Sequence, residues 1–113
     1  MKMDLNTAIE FLVEAIKADY RAWFKDADHE KPHVQEMIAR FDSDFSIEEG
    51  RKYIKLVKGG SVWGFIQKAD EGKFKAGDIL KAAGWASPAK NAARGNVLEG
   101  GYSIAWTGPH YLK

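Results

Sequence analysis

The first part of the chain has apolar residues at spacings of three and four, the period of one face of an α-helix. The repeating positions are Leu5, Ile9, Leu12, Val13, Ile16, Tyr20 and Trp23. This pattern predicts an amphipathic helix from about Thr7 to Lys25. Thr7 and Glu10 match a capping box, whose hydroxyl and carboxylate accept N–H donors of the first helical turn.

A second helix is predicted to begin at Pro32, because proline is well tolerated at the first helical position. We expect this helix to end near Asp42. The residues that its period directs inward are Val34, Met37, Ile38 and Phe41.

From Arg51 the apolar period changes to two, which is typical of strands. Gly59 and Gly60 predict a hairpin turn between Arg51–Lys58 and Ser61–Gln67. Pairing around that turn sets Leu56 opposite Trp63, Ile54 opposite Phe65, Val57 opposite Val62 and Tyr53 opposite Ile66. Both faces are largely apolar, so we expect the hairpin to be covered on both sides. Trp63 and Phe65 are therefore predicted to be core residues and not a platform for stacked bases.

The C-terminal third predicts a short strand at Ile79–Leu80 and an irregular segment from Trp85 to Gly95. Within that segment, Ser87 and Pro88 are expected to start one helical turn. A last hairpin is predicted around Gly100-Gly101. In it Val97 lies opposite Ile104, and Trp106 covers Gly95.

These elements predict an α+β fold in one domain, residues 1–113. Two N-terminal helices, within residues 1–45, are expected to pack on a sheet formed by residues 51–113. The sheet is predicted to be small, strongly bent and mostly antiparallel, or a partial barrel, with four to five strands.

Charge is divided unevenly along the chain. Residues 1–50 contain 12 acidic and 6 basic residues, whereas residues 51–113 contain 4 acidic and 11 basic residues. Surfaces of opposite sign steer charged partners. Glu10, Glu14, Asp19, Asp26, Asp28 and Glu30 are the candidate acidic positions. The sequence leaves open whether they form a solvated helix face, bind a basic partner or neutralise the lysines of the strands.

Several classes of function are disfavoured by the residue inventory. The chain contains no cysteine, so it has no disulfide, thiolate nucleophile or thiolate metal site. His29-Glu30-Lys31-Pro32-His33 has the letters of the zinc motif H-E-x-x-H, but proline inside that helical turn disrupts it. We therefore expect no metal, no cofactor and no catalytic activity. No apolar run is long enough for a membrane span, and the N-terminal residues lack a signal-peptide layout, so we expect a cytoplasmic protein.

Polar residues near the irregular segment form a candidate binding site. If Pro88 starts a helical turn, Lys90 and Arg94 lie on one side of it with Asn91 adjacent. The last hairpin directs Asn96 and Thr107 to a shared face. The predicted site comprises Trp85, Lys90, Asn91, Arg94, Asn96 and Thr107. Such donors can bind a phosphate or carboxylate. The alternative is a solvated loop.

The C-terminal region resembles a family of small proteins encoded by tailed bacteriophages. The resemblance covers residues 51–112. It is carried by Gly77-Asp78-Ile79-Leu80-Lys81-Ala82-Ala83-Gly84-Trp85, Pro88-Ala89-Lys90-Asn91-Ala92-Ala93-Arg94-Gly95-Asn96, Trp106-Thr107-Gly108-Pro109 and Tyr111-Leu112. That family has no established activity, so the resemblance implies a context only: an accessory phage protein in the host bacterial cytoplasm.

Three functions follow from the composition, the candidate site and the resemblance. The first is a non-catalytic protein that binds and modulates a host macromolecule, in counter-defence or host takeover. The second is a binding module for an anionic nucleotide or single-stranded nucleic acid, centred on the Trp85–Arg94 loop. The third is a minor structural component of the virion.

Overall fold

The structure, a computed structural model, describes residues 4–90, 92–100, 102 and 104–109. Its elements are α1 (Leu5–Ala22), a short 3-10 helix (Asp26–Asp28), α2 (Pro32–Asp44), β1 (Phe45–Glu49), β2 (Tyr53–Lys58), β3 (Ser61–Gln67), β4 (Ile79–Leu80), β5 (Ile104–Ala105) and β6 (Gly108–Pro109). One antiparallel sheet has the order β1-β2-β3-β4, and β5 pairs with β6 in a second sheet. The predicted α+β fold is confirmed, and the larger sheet is open, so it forms no barrel.

Helix α1 begins two residues earlier than its sequence pattern predicts. Asp4 is the N-cap, and its Oδ1 accepts the backbone N–H of Thr7 at 2.8 Å. The prediction of a cap at Thr7 is therefore wrong. The hydrogen bond from the Thr7 backbone lowers the pKa of the Asp4 carboxyl, because it stabilises the charged form. Since the helix ends at Ala22, Trp23 lies beyond it and is 71% exposed.

The core lies between α1 and one face of the larger sheet. Its buried members are Ala8, Ile9, Leu12, Val13, Ile16, Ile54, Leu56, Trp63, Ile66, Ile79 and Val97. Thus α1 supplies a continuous apolar stripe, as its period predicts. Helix α2 contributes less, because Val34 is buried but Met37 is 44% exposed. The inward orientation predicted for Met37 is wrong, whereas Ile38 and Phe41 are half-buried.

The β2–β3 hairpin contains a bulge that shifts the predicted register. Val57 lies opposite Val62 as predicted, but Leu56 lies opposite Gly64, and Ile54 lies opposite Ile66. Trp63 is the additional residue on β3, and it points toward the helices with Leu56. Phe65 lies opposite Lys55 on the other face, so the prediction that Trp63 and Phe65 share a face is wrong. Both rings are buried, as predicted.

Strand β1 was not predicted, and it places acidic side chains beside lysines. Glu48 lies opposite Lys55 in the register. The carboxylate Oε2 of Glu49 is 2.8 Å from Nζ of Lys68. Acidic residues of the first half of the chain therefore do return to the lysines of the strands, but these are residues of β1 and not the helix positions considered from sequence.

In the described part of the structure, the acidic positions between residues 10 and 30 form no ion pair with the lysines of the strands. Asp19 Oδ2 accepts the backbone N–H of Trp106 at 2.8 Å, and Asp28 Oδ1 is 2.9 Å from Nζ of Lys31. Glu10, Glu14 and Glu30 are exposed. The side chain of Asp26 lies outside the described part of the structure.

The predicted last hairpin is wrong. Residues 97–99 form a turn, closed by the Gly100 N–H donating to the Asn96 carbonyl at 3.0 Å. The strands that do pair are β5 and β6, with Ile104 opposite Pro109. Gly101 and Ser103, part of the predicted pairing, lie outside the described residues. Tyr102, not Trp106, covers Gly95: a Cβ there would lie 2.6 Å from the Cβ of Tyr102.

The histidine motif is divided between a loop and a helix start. Pro32 occupies the first turn of α2, and His33 follows it on an exposed position. The ring of His29 contacts the Phe24 carbonyl oxygen, with Nε2 at 3.3 Å. Within the described ranges, His, Asp and Glu side chains form no group of three or more that could hold a metal ion. No helix in those ranges has both the length and the apolar character needed to cross a membrane.

Candidate functional site

The segment Lys81–Ala89 folds back on itself and presents an indole at its tip. The Ala83 N–H donates to the Ser87 carbonyl at 2.9 Å, and the Ala89 N–H donates to the Lys81 carbonyl at 2.7 Å. Between these bonds Trp85 is 54% exposed. The segment is extended and bent, so the helical turn predicted at Ser87-Pro88 is wrong. The backbone bonds hold the loop in one shape.

This loop packs on the side of the sheet away from the helices. We call that side the outer face and define it by Tyr53, Lys55 and Phe65, which alternate with the core-facing residues of β2 and β3. Tyr53 and Phe65 meet edge to face with their ring centroids 5.9 Å apart. Ala86 lines the same cavity of about 300 Å³ as these three residues. Phe65 is only 2% exposed although it faces away from the helices, and Tyr53 covers part of its ring.

Cations and aromatic rings are interleaved on the outer face. The ammonium of Lys55 lies 4.3 Å from the centroid of the Trp85 ring, within the range of a favourable cation–π contact. The ammonium of Lys90 lies 6.0 Å from the Tyr53 ring centroid, at the limit of that range. Lys55 thus positions the exposed indole, and both rings have a cation beside them.

The outer face has more basic than acidic residues. Its two cavities, of about 300 and 230 Å³, are lined by five basic residues (Arg51, Lys52, Lys55, Lys73 and Lys90) and three acidic ones (Glu48, Glu49 and Glu71). Two of these glutamates are in ion pairs: Glu71 Oε1 lies 3.5 Å from Lys52 Nζ, and Glu49 Oε2 lies 2.8 Å from Lys68 Nζ. Exposed pairs of this kind contribute about 1 kcal/mol or less. The remaining excess of positive charge favours an anionic partner.

The structure brings together only part of the predicted site. Trp85 and Lys90 both approach the outer face. Thr107 lies in the exposed turn between β5 and β6, beside Trp106, whose ring packs on the helix side of the sheet. Asn91 lies outside the described residues. Since Thr107 and Trp85 lie near opposite sides of the sheet, they do not form one site.

Arg94 and Asn96 have structural contacts. Arg94 is half-buried. Its backbone N–H donates to the Ile79 carbonyl at 2.8 Å, and its side-chain Nε–H donates to the Ala92 carbonyl at 3.2 Å. Asn96 is 7% exposed. Its side chain makes four hydrogen bonds within the protein, to Ala76, Asp78, Leu98 and Glu99. Asn96 therefore has no free donor to offer to a ligand.

The chain matches a protein-family model over most of its length. The model of a family of unknown function, DUF7717, matches residues 1–107. The chain belongs to the DUF7717 family. No curated protein and no solved structure matches the chain. The DUF7717 match includes α1 and α2, so the family region is wider than the C-terminal resemblance found from the sequence motifs.

Sequence reasoning missed two outer-face residues of this DUF7717 protein, Tyr53 and Lys55. Their alternation along β2 was visible, but the predicted register assigned them no aromatic or cationic partner. Their partners, Trp85 and Lys90, come from a segment distant in the sequence, so the contacts are visible only in the folded protein. For Lys55, the signal that could have indicated a surface role is a charged residue between the apolar residues of a strand.

Proposed function

We propose that this DUF7717 protein is a non-catalytic binding protein that engages a macromolecular partner through the outer face. The observation that carries the proposal is the indole of Trp85, 54% exposed and held 4.3 Å from the Lys55 ammonium. An exposed tryptophan on a loop with its own backbone hydrogen bonds is a preorganised anchor, so little conformational entropy is lost on binding. The C-terminal resemblance to small phage proteins supports a partner from the bacterial host.

The polar groups of the outer face suit binding better than catalysis. They are lysines, an arginine and glutamates, and the described contacts among them are ion pairs and cation–π contacts. A covalent mechanism needs a nucleophile beside a positioned base. The described outer-face contacts contain no such pair.

A pull-down tests the host-partner proposal. We expect the wild-type protein, used as bait in bacterial lysate treated with nuclease, to retain a specific host protein that Trp85→Ala loses. Trp23→Ala is the matched control, because Trp23 is also exposed but lies at the end of α1, away from the outer face. Retention of the same proteins by wild type and Trp85→Ala would refute a role for the outer face.

Single-stranded nucleic acid, or an anionic nucleotide, is the second candidate partner. The specific observation in its favour is that two aromatic rings of the outer face each lie near a lysine: Trp85 near Lys55, and Tyr53 near Lys90. Bases stack on aromatic side chains while adjacent cations contact the phosphates. Of these two rings, Trp85 is the exposed one and is therefore the expected stacking surface.

Fluorescence anisotropy with a labelled oligothymidine of about 15 nucleotides tests this candidate. We expect affinity to fall steeply with added salt, because neutralised phosphates release counterions. Trp85→Ala should weaken binding about tenfold, the equivalent of one lost base stack. Trp23→Ala should leave binding unchanged. Salt-independent binding, or equal affinity for both variants, would exclude the outer face as a nucleic-acid surface.

A further inference from the structure

A further cavity lies on the helix side of the sheet, distinct from the two on the outer face. It has a volume of about 330 Å³, within the range of small-molecule sites. Its apolar walls are Tyr20, Met37, Phe41 and Trp106. We call it the aromatic groove. Because Met37 is 44% exposed, the groove is open on the α2 side.

The three rings of the groove support one another. Tyr20 and Phe41 are stacked, with centroids 4.1 Å apart and planes 6° from parallel. Trp106 meets both edge to face, at 5.1 Å from Tyr20 and 6.2 Å from Phe41. The backbone at Trp106 is held by Asp19, which accepts its N–H at 2.8 Å. The walls are thus formed before any ligand arrives, which lowers the entropic cost of binding.

Lys58 places a positive charge inside the groove. Its ammonium lies 4.9 Å from the centroid of the Trp106 ring. Burial lowers the pKa of Lys58, because partial dehydration disfavours the charged form. Among the described residues, no carboxylate lies within 4.0 Å of this ammonium. The Lys58 charge is therefore both partly dehydrated and without an ion-pair partner in the described structure.

The other charged residues that line the groove are Arg40 and Asp44. Arg40 already donates to Glu36 Oε1 at 3.1 Å across one helical turn. Among the described residues that line the groove, Lys58 is thus the cation without an ion-pair partner. A cationic ligand is disfavoured, because the Lys58 ammonium already lies over Trp106 and would repel it. Asp44 is exposed, and its carboxylate lies more than 4.0 Å from the Lys58 ammonium, so water screens its charge from a ligand in the groove. The aromatic walls and the Lys58 ammonium together therefore favour a ligand that is flat, apolar and singly negative.

We propose that the aromatic groove binds a planar aromatic carboxylate. The ring would pack against Trp106 and the Tyr20–Phe41 pair, and the carboxylate would accept hydrogen bonds from the Lys58 ammonium. One ammonium matches one carboxylate, whereas a doubly charged phosphate would require further donors. This site is separate from the outer face, because Lys58 and Lys55 project from opposite sides of β2.

Three probes with the same ring separate charge from ring stacking: indole-3-acetate, indole-3-acetamide and tryptamine. They should be titrated into the ¹⁵N-labelled full chain and followed by two-dimensional NMR. We expect saturable shifts of the Gly59 amide and the Trp106 indole N–H with indole-3-acetate. The acetamide should bind about tenfold more weakly, the effect of losing one charge-assisted hydrogen bond. Tryptamine should bind more weakly still.

Variants at two lysines of β2 complete the test. Lys58→Met keeps an unbranched side chain but removes the charge. This variant should therefore bind indole-3-acetate and indole-3-acetamide with equal affinity. Lys58→Arg keeps the charge and should keep the preference, which covers the case in which Lys58→Met fails to fold. Lys55→Met is the matched control and should bind like wild type. Equal affinity for all three probes, shifts away from the groove, or no binding at millimolar probe would each overturn the proposal.

Discussion

Replacing Trp63 with alanine is expected to lower the free energy of unfolding by about 3–5 kcal/mol. Trp63 is 1% exposed and packs between α1 and the sheet. Its Nε1–H donates to the carbonyl of Ala105 at 2.9 Å, which ties β5 to the bulge in β3. Alanine would leave a large cavity and remove the hydrogen bond to the Ala105 carbonyl oxygen. Since small domains are stable by only about 5–15 kcal/mol, this loss approaches the limit of folding.

Urea unfolding followed by circular dichroism measures the loss. Trp63→Phe separates its two causes, because phenylalanine retains most of the apolar volume but cannot donate to Ala105; we expect a smaller loss, about 1–3 kcal/mol. Trp85→Ala is the control for removing an exposed indole, and it should change stability by about 1 kcal/mol or less. A Trp63→Ala protein as stable as Trp85→Ala would contradict the burial of Trp63.

Replacing Asn96 with alanine is expected to lower the free energy of unfolding by about 2–3 kcal/mol. The Asn96 Nδ2 group donates to the Ala76 carbonyl at 3.0 Å and to Asp78 Oδ1 at 2.9 Å. Its Oδ1 accepts the N–H groups of Leu98 and Glu99 at 2.8 and 3.1 Å. The side chain thus joins the start of β4 to the turn at residues 97–99. Alanine would leave several buried polar groups without partners.

Thermal unfolding of Asn96→Ala beside Asn6→Ala tests the structural role of this amide. Asn6 is an exposed residue of α1, so its replacement should change stability by about 0.5 kcal/mol or less. Asn96 was predicted from sequence to bind an anion. A ligand-binding role would leave Asn96→Ala as stable as Asn6→Ala, whereas the observed hydrogen bonds require a clear difference.

The helices were the most predictable part of the fold, because the apolar period of α1 matches its buried stripe closely. The error at its start has a local cause. Asp4 and Thr7 are both good N-cap residues, and three-residue spacing lets the first accept a hydrogen bond from the second. Met37 fits the period of α2 but stays exposed, since the helix lies over the edge of the core and not its centre. The apolar period of a helix indicates which face is directed inward, but it does not indicate how fully the neighbouring elements cover that face.

The buried strands β2, β3 and β4 were predicted, whereas the exposed β1 and the buried but very short β6 were missed. Strand β1 has only one half-buried residue, Phe45, and carries charged residues at its end, so it lacks an alternating signal. The bulge at Trp63 was not predicted, although an isolated glycine inside a strand, here Gly64, often marks one. Gly100-Gly101 resembles a hairpin turn, but the side chain of Asn96 accepts the N–H groups of Leu98 and Glu99 and the turn forms at residues 97–99 instead.

The candidate site shows what sequence reasoning can and cannot provide. The exposed Trp85 and the nearby Lys90 were identified from residue type alone. Their partners Lys55 and Tyr53 are distant in sequence, and the contact depends on the path of the Lys81–Ala89 loop. The aromatic groove was missed for the same reason, because Tyr20, Phe41 and Trp106 come from three separate elements.

Strand β1 also affects how copies of the protein meet at high concentration. It lies at one edge of the larger sheet, where unpaired backbone groups can template further strands. Ile47, 47% exposed, is an apolar residue on that edge that could contact a second copy. Glu48 and Glu49 follow it directly, and charged side chains on an edge strand disfavour pairing with a second edge. The same glutamates that approach lysines within one molecule therefore also oppose polymerisation into β-rich aggregates.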